Sequence, residues 1–309
     1  MNEIENVLIC GLGAIGSIYA EKISEYNNAS LKILVDENRL KKYTNNPIIY
    51  NDKTLNLAYT LPHTTSYKAD LILISTKADG LMWACENIKN FVHKNTIILP
   101  LLNGIESEEI LAKLYGWNKV LNAYVICHSS MRNQNYITHD GINTIFFGTK
   151  FPQYQNNIQT LKRYFDKVGI NYETPSDIIY SQWKKFALNA CANPLTAMYG
   201  FTFGEALRSE EFMTQAVEII KEVQQIAKAE GVNNTKNLLN DTLEALNTML
   251  PSGKTSMLQD IEAGKTTEID IFAGTIVKLG EAHSIPTPQN KILLEKIKEL
   301  EIATKSLNK

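Results

Sequence analysis

A run of four apolar residues, Val-Leu-Ile-Cys at positions 7–10, leads directly into Gly-Leu-Gly-Ala-Ile-Gly at 11–16, and this junction constrains the fold more than any other stretch. Ile15, Ile18, Tyr19 and Ile23 then recur at helical spacing, so the pattern reads as strand, tight turn and helix. The three glycines have separate physical duties. Gly11 permits the turn, Gly13 lets backbone approach a pyrophosphate, and Gly16 lets helix and strand pack closely, with the anion at the helix N-terminus. Gly11, Leu12, Gly13, Ala14, Ile15 and Gly16 are therefore the expected dinucleotide-binding loop. A second strand at 31–35 ends at Asp36, where such a fold places an acid for the ribose hydroxyls. A turn or helix-capping role for Asp36 competes with that reading.

Further apolar strands are expected at 71–74, 96–99 and 120–125, separated by helical patterns at 81–91 and 106–114. Strands alternating with helices predict a parallel, doubly wound sheet, and ligands of such sheets lie beyond the carboxyl ends of the strands. Lys77 and Asn103 fall there, as do His128 and Ser130 after the last of these strands. His128 is a candidate proton donor by its chemistry, ranked below a lysine described next. Strands at 143–148 and 170–172, with a helix at 155–168 between them, close the first half. From position 178 the pattern is almost wholly helical. The predicted fold class is thus α/β: an N-terminal Rossmann-like doubly wound parallel sheet at 1–176 and a C-terminal all-α domain at 177–309, with the boundary near residues 175–177.

The helical half contains a segment at 183–197 in which Lys185, Asn189 and Asn193 stand at i, i+4 and i+8 among Phe186, Ala187, Leu188, Ala190, Cys191 and Ala192. Steps of four keep the three polar side chains on one face. A helix this apolar on its other sides is buried, so the polar stripe needs partners or a ligand. Pro194 removes one helical hydrogen bond and is expected to kink the segment and aim Asn193 sideways. Ser209 is expected to cap a helix ending at Gly231, and Pro286 and Pro288 precede a last helix.

Balanced charge, with 31 basic and 33 acidic residues for a net −2, leaves no electrostatic footprint for nucleic acid or an anionic membrane. No apolar run reaches the length of a membrane span, and the acidic start is unlike a signal peptide, so a cytoplasmic protein with a small-molecule partner is expected. Cys10, Cys85, Cys127 and Cys191 are single and widely spaced, reading as small buried hydrophobes and not as metal ligands.

Taken together, the glycine loop at 11–16, Thr-Lys-Ala at 76–78, Asn-Gly at 103–104, Lys185-x3-Asn189-x3-Asn193 followed by Pro-Leu-Thr-Ala, Thr-Ser-Met-Leu-Gln-Asp at 255–260 and Thr267-Glu268 resemble the ketopantoate reductase family over nearly the full chain. The resemblance implies reduction of 2-dehydropantoate (ketopantoate) to pantoate, a step of pantothenate and coenzyme A biosynthesis, with NADPH as cofactor. It also implies that Lys185 donates the proton and that Asn189, Asn193 and Ser256 contact substrate. By the same resemblance Asn103 is shared by cofactor and substrate, Lys77 and Ser130 contact cofactor, and Glu268 stands at the nicotinamide end. A homodimer is compatible with it.

The chemistry agrees when derived separately. Hydride delivery to a ketone leaves negative charge on oxygen, which a positioned ammonium can stabilise and protonate. Burial lowers a lysine pKa and a nearby carboxylate raises it, so Glu268 is expected to set the value for Lys185 and hold its ammonium. The chain departs from the family at Asp36, where most members carry an arginine for the 2′-phosphate of NADPH, although Arg39 follows three residues later. Thr202 replaces a further substrate-side asparagine. Asp36 leans the cofactor towards NADH. Two other functions fit the same elements: an NAD-dependent D-2-hydroxyacid dehydrogenase, and a non-catalytic dinucleotide sensor, which would need only the Rossmann half.

Overall fold

The computed structural model describes residues 3–127, 130–139 and 141–307. His128 lies outside them, as does the side chain of Ser130. The chain divides into two compact units, Met1–Ile178 and Ile179–Lys309.

The strands of the first unit are β1 (Val7–Cys10), β2 (Leu31–Leu34), β3 (Ile49–Tyr50), β4 (Lys53–Thr54), β5 (Tyr59–Thr60), β6 (Leu71–Ile74), β7 (Ile97–Pro100), β8 (Asn122–Cys127), β9 (Ser130–Asn133), β10 (Tyr136–His139), β11 (Asn143–Gly148) and β12 (Tyr172–Glu173). Its helices are α1 (Ala14–Asn27), α2 (Glu37–Asn45), α3 (Leu81–Asn87), α4 (Ser107–Tyr115) and α5 (Gln155–Val168). Five strands form a parallel sheet in the order β5-β2-β1-β6-β7. β1 sits at its centre because its residues are apolar on both faces. Val7 and Ile9 join Leu71, Leu73, Ile97 and Leu99 in a core with α1 and α5. Leu8 and Cys10 join Ile72, Ile74 and Ile98 in a second core with α3 and α4. Alternation along a strand sends neighbours to opposite faces, so two helical layers are needed to cover this sheet.

The chain builds outward from β1 through β2 to β5, then returns to the other side of β1 for β6 and β7. That reversal makes the carboxyl ends of β1 and β6 the switch point of the sheet. The strand expected at 120–125 differs from its expectation. Its start meets the parallel sheet through a bridge between Val120 and Ile98, in which the Ile98 amide donates to the Lys119 carbonyl at 2.8 Å and the Leu121 amide to the Ile98 carbonyl at 3.1 Å. The strand itself, β8, runs antiparallel to β11, which pairs with β12 in a separate three-stranded sheet. The apolar run shows a buried strand, but its partner comes later in the chain, beyond β9 and β10, and the local pattern does not name it.

The second unit is helical: α6 (Ile178–Tyr199, which begins at the last residue of the first unit), α7 (Phe203–Arg208), α8 (Glu210–Ala229), α9 (Leu238–Asn247), α10 (Ser256–Glu262), α11 (Thr275–His283) and α12 (Pro288–Leu307). Ser209 caps α8 by accepting from the Phe212 amide. The kink expected at Pro194 does not end the helix, which continues for five residues to Tyr199. Leu195 and Ala197 are buried, and Thr196 Oγ1 donates back to the Ala192 carbonyl at 2.8 Å. Packing and that local bond hold the turn that proline weakens. Among the described residues, no helix is long and apolar enough to cross a membrane.

Glu222 of α8 docks the last helix. Its carboxylate accepts from the Gln289 and Asn290 amides and from Asn290 Nδ2, at 2.8, 3.1 and 2.7 Å. These amides are the orphan donors of a helix N-terminus, which favours a carboxylate. Removing it leaves buried donors unmet, so Glu222→Ala is expected to lower unfolding stability by about 2–3 kcal/mol, measured by denaturant titration.

Candidate active site

In the first unit the glycine loop is shaped by contacts that exclude side chains. Gly11 has φ +104°, and a Cβ there would meet Ser75 and Thr76 backbone at 2.7 Å. At Gly16 a Cβ would lie 2.0 Å from the Gly11 carbonyl oxygen, so any side chain would push α1 off β1. Gly13 is different: a Cβ would touch only Ser75 O at 3.9 Å, so space lies over it. Gly13 is the N-cap of α1 and offers no side-chain cap, and the first turn holds no acid. An N-terminus with free amides under open space fits a pyrophosphate.

Ser75 is a residue the sequence reading passed over. Its hydroxyl donates to the Gly11 carbonyl at 2.8 Å, tying the loop to the end of β6. The available signal was a small polar residue directly after a buried strand beside β1. Thr76 Oγ1 is buried and takes no hydrogen bond among the described residues, an unmet polar atom at the switch point. Lys77 is exposed in the turn after β6, and Asn103 is exposed after the carboxyl end of β7.

Asp36 takes the capping role. Its Oδ1 accepts from the Arg39 amide at 2.6 Å, and its Oδ2 from Arg39 Nη1 at 3.2 Å. The Arg39 guanidinium also lies 6.0 Å from the centre of the Trp83 ring. Asp36 is thus an N-cap of α2 whose charge is partly matched by Arg39, with oxygen lone pairs left for a further donor.

In the second unit, Lys185, Asn189 and Asn193 share one face of α6, with Asn189 and Asn193 buried. One turn on, Thr196 Oγ1 meets Thr255 Oγ1 at 2.7 Å. Thr255 caps α10 by accepting from the Leu258 amide, and Ser256 is the exposed first residue of that helix. The threonine pair therefore ties Ser256 to the Asn193 end of the stripe. Glu268 is half-buried next to Thr267, whose amide and hydroxyl both donate to Glu301 Oε1 at 2.7 Å. A π-helical turn, Asp270–Gly274, follows and sets Phe272 against Phe186, at 6.3 Å between ring centres.

Lys185 is half-buried by accessible surface, yet protein so surrounds its ammonium that burial pulls the pKa from 10.5 down to about 8. Burial is the whole cause. Lys185 is thus tuned by desolvation, and the expected influence of Glu268 is not among the causes; Glu268 follows Thr267, which Glu301 anchors. Among the described residues no cluster of His, Cys, Asp and Glu could hold a metal ion.

Comparison with known proteins places this geometry. Residues 7–150 match the family model "Ketopantoate reductase PanE/ApbA", and residues 177–301 match its C-terminal counterpart. The 2-dehydropantoate 2-reductase of Pyrococcus horikoshii is 28% identical over 302 residues, spanning 96% of this chain and 97% of the relative. That of Streptococcus pyogenes serotype M6 is 25% identical over 293 residues, spanning 94% and 95%. A solved D-mandelate dehydrogenase with NADH and anilino(oxo)acetate superposes with a TM-score of 0.87 at 20% identity, over 97% of this chain and 99% of that one, a likeness of fold. Glycine loop, parallel sheet and helical unit define a nicotinamide-dependent oxidoreductase. Within that class, this chain belongs to the ketopantoate reductase family.

A lysine with a depressed pKa penalises the folded state while it is charged. Between about pH 8 and 10.5 the unfolded chain keeps the Lys185 proton that the folded chain has lost, so stability rises with pH across that window. Lys185→Met is therefore expected to melt higher than the parent at pH 7, with the advantage shrinking from pH 8 to 10.5 in paired thermal scans.

Proposed function

We propose that the chain is a 2-dehydropantoate 2-reductase, reducing the ketone to pantoate with Lys185 as the proton donor. The observation that carries this reading is Lys185 itself, tuned by burial to about 8 on a face shared with two buried asparagines. An acid of that strength is largely protonated at neutral pH and still gives up its proton readily, the compromise general acid catalysis favours.

When bound, reduced nicotinamide supplies the hydride; Gly11 to Gly16, with Ser75 beneath them, would hold its pyrophosphate, and Lys77, Asn103 and Ser130 would make the further contacts. Lys185 donates from Nζ to the oxygen that gains charge as the ketone is reduced, stabilising that charge before the proton moves. Asn189, Asn193 and Ser256 present amide and hydroxyl groups that orient the carboxylate and hydroxyl of a small 2-keto acid without adding charge. Glu268, fixed in place through Thr267 and Glu301, serves the nicotinamide end. A sensor would have no need for a lysine tuned in this way.

Asp36 favours a second reading, an NADH-dependent D-2-hydroxyacid dehydrogenase on the same scaffold. A panel of 2-keto acids with NADH and NADPH separates the two. Higher kcat/KM for 2-dehydropantoate supports the reductase; a branched or aromatic 2-keto acid preferred by tenfold or more supports the dehydrogenase. In either reaction Lys185→Ala is expected to lower kcat by about a hundredfold to ten-thousandfold with cofactor affinity retained. The parent kcat should fall as pH rises through about 8, where the ammonium is lost.

NADH is the proposed preferred cofactor, by a modest margin. A 2′-phosphate beside Asp36 would meet like charge, a cost of about 1–4 kcal/mol per pair at 4 Å depending on the surroundings, and the Arg39 pairing offsets part of it. Asp36→Ala removes the repulsion and releases Arg39, so the NADPH to NADH ratio of kcat/KM is expected to rise about tenfold or more. An unchanged ratio in steady-state assays would assign Asp36 to capping alone.

A further inference from the structure

Three of the four cysteines are chemically shut away. Cys10 of β1, Cys85 of α3 and Cys191 of α6 are buried, and burial pushes their thiols up to about 12, about 11 and about 12. Cys127, the last residue of β8, departs from the expectation of a small buried hydrophobe: it is half-buried, with an imidazole beside it. Its Sγ lies 3.9 Å from Nδ1 of His139, the last residue of β10. Across the ring, His139 Nε2 lies 3.1 Å from Nδ2 of Asn143, the first residue of β11. Asn51, in the tight turn between β3 and β4, donates from Nδ2 to the His139 carbonyl at 2.7 Å and accepts from its amide at 2.9 Å. Asn51 thus holds the His139 backbone, and Asn143 meets the ring.

Asn143 Oδ1 is buried and has no partner among the described residues. This vacancy bears on the chemistry of the pair. For Nδ1 to accept the thiol proton the neutral ring must carry its hydrogen on Nε2, and transfer then gives an imidazolium with two N–H donors, one facing the new thiolate. Rotation of the Asn143 amide offers the other donor an oxygen. Among the described residues, Tyr19 of α1 and Tyr50 of β3 also sense the Cys127 charge, and burial raises the pKa of both phenols. Glu21 and Glu25 of α1 lie behind Tyr50, and Lys53 pairs with both.

We propose that Cys127 is a site of reversible thiol–disulfide exchange with small-molecule disulfides, with His139 taking the thiol proton and Asn143 positioning the ring. The Cys127 thiolate attacks one sulfur of a disulfide RSSR; a new S–S bond to Cys127 forms as the old one breaks, and RS⁻ leaves and takes up the proton held by His139. One disulfide is exchanged for another, so no outside oxidant is needed, and free thiol reverses the step. The inference rests on the first unit alone and is independent of the substrate reduced.

The full chain is incubated with glutathione disulfide and its intact mass measured. One adduct per chain is expected, mapping to Cys127, absent in Cys127→Ser and removed by reduced glutathione. Iodoacetamide alkylation of the unmodified protein is then followed against pH. A midpoint below about 7.5 is expected, against about 8.5 for an unassisted thiol, and His139→Gln should slow alkylation at pH 7 by tenfold or more. No adduct, an adduct on another cysteine, or a midpoint at or above about 7.5 overturns the proposal. The pH profile of the parent decides the matter if the His139 variant fails to fold.

Discussion

The approach of α1 to the end of β1 is the constraint from which the first unit follows. With a Cβ at Gly16 lying 2.0 Å from the Gly11 oxygen, the helix starts where it does only because neither residue has a side chain. Ser75 then reaches across from β6 to the same carbonyl, so loop, helix and two central strands share one junction. The free amides of α1 consequently point out over the reversal in strand order. An anion-binding end is produced by packing, before any ligand is considered.

The second unit solves the opposite problem, placing polar groups inside an apolar helix. Lys185 bears the desolvation of its surroundings, which pulls its pKa down to about 8. That costs stability at neutral pH and leaves the ammonium ready to part with its proton. Such a conflict between folding and chemistry is usual where a charged group is kept for reaction instead of support. Around it, satisfied pairs do the structural work: Thr196 with Thr255, Thr267 with Glu301, and Glu222 with the start of α12.

Much of this was legible from residue order because the signals are local. The glycine loop, the helix at 155–168 and the Ser209 cap depend on neighbours within a few positions. What escaped depends on distant partners or on which of two local roles prevails. The apolar alternation of β8 shows a strand but not that β11 is its antiparallel neighbour. Asp36 fits a ribose contact and a cap equally well on paper, and only the Arg39 geometry shows the cap. Burial of Lys185 could be read from the apolar residues around it. That Thr267, beside Glu268, is anchored by Glu301 from another helix could not. Cys127 looked inert because Asn143 reaches it only through strand pairing and His139 only from a strand of another sheet.

The π-helical turn at Asp270–Gly274 sets how this protein can change over evolutionary time. Its wider i to i+5 bond accommodates one more residue than an α-turn, and about 100° of rotation separates consecutive residues. Loss of a single residue there would restore regular winding and swing Phe272 away from Phe186, the neighbour of Lys185. Substitutions in α6 alter the polar stripe one side chain at a time. A one-codon deletion beside it would re-index every following residue that packs against α6 at once, so length variation here acts on the core as a unit and not one side chain at a time.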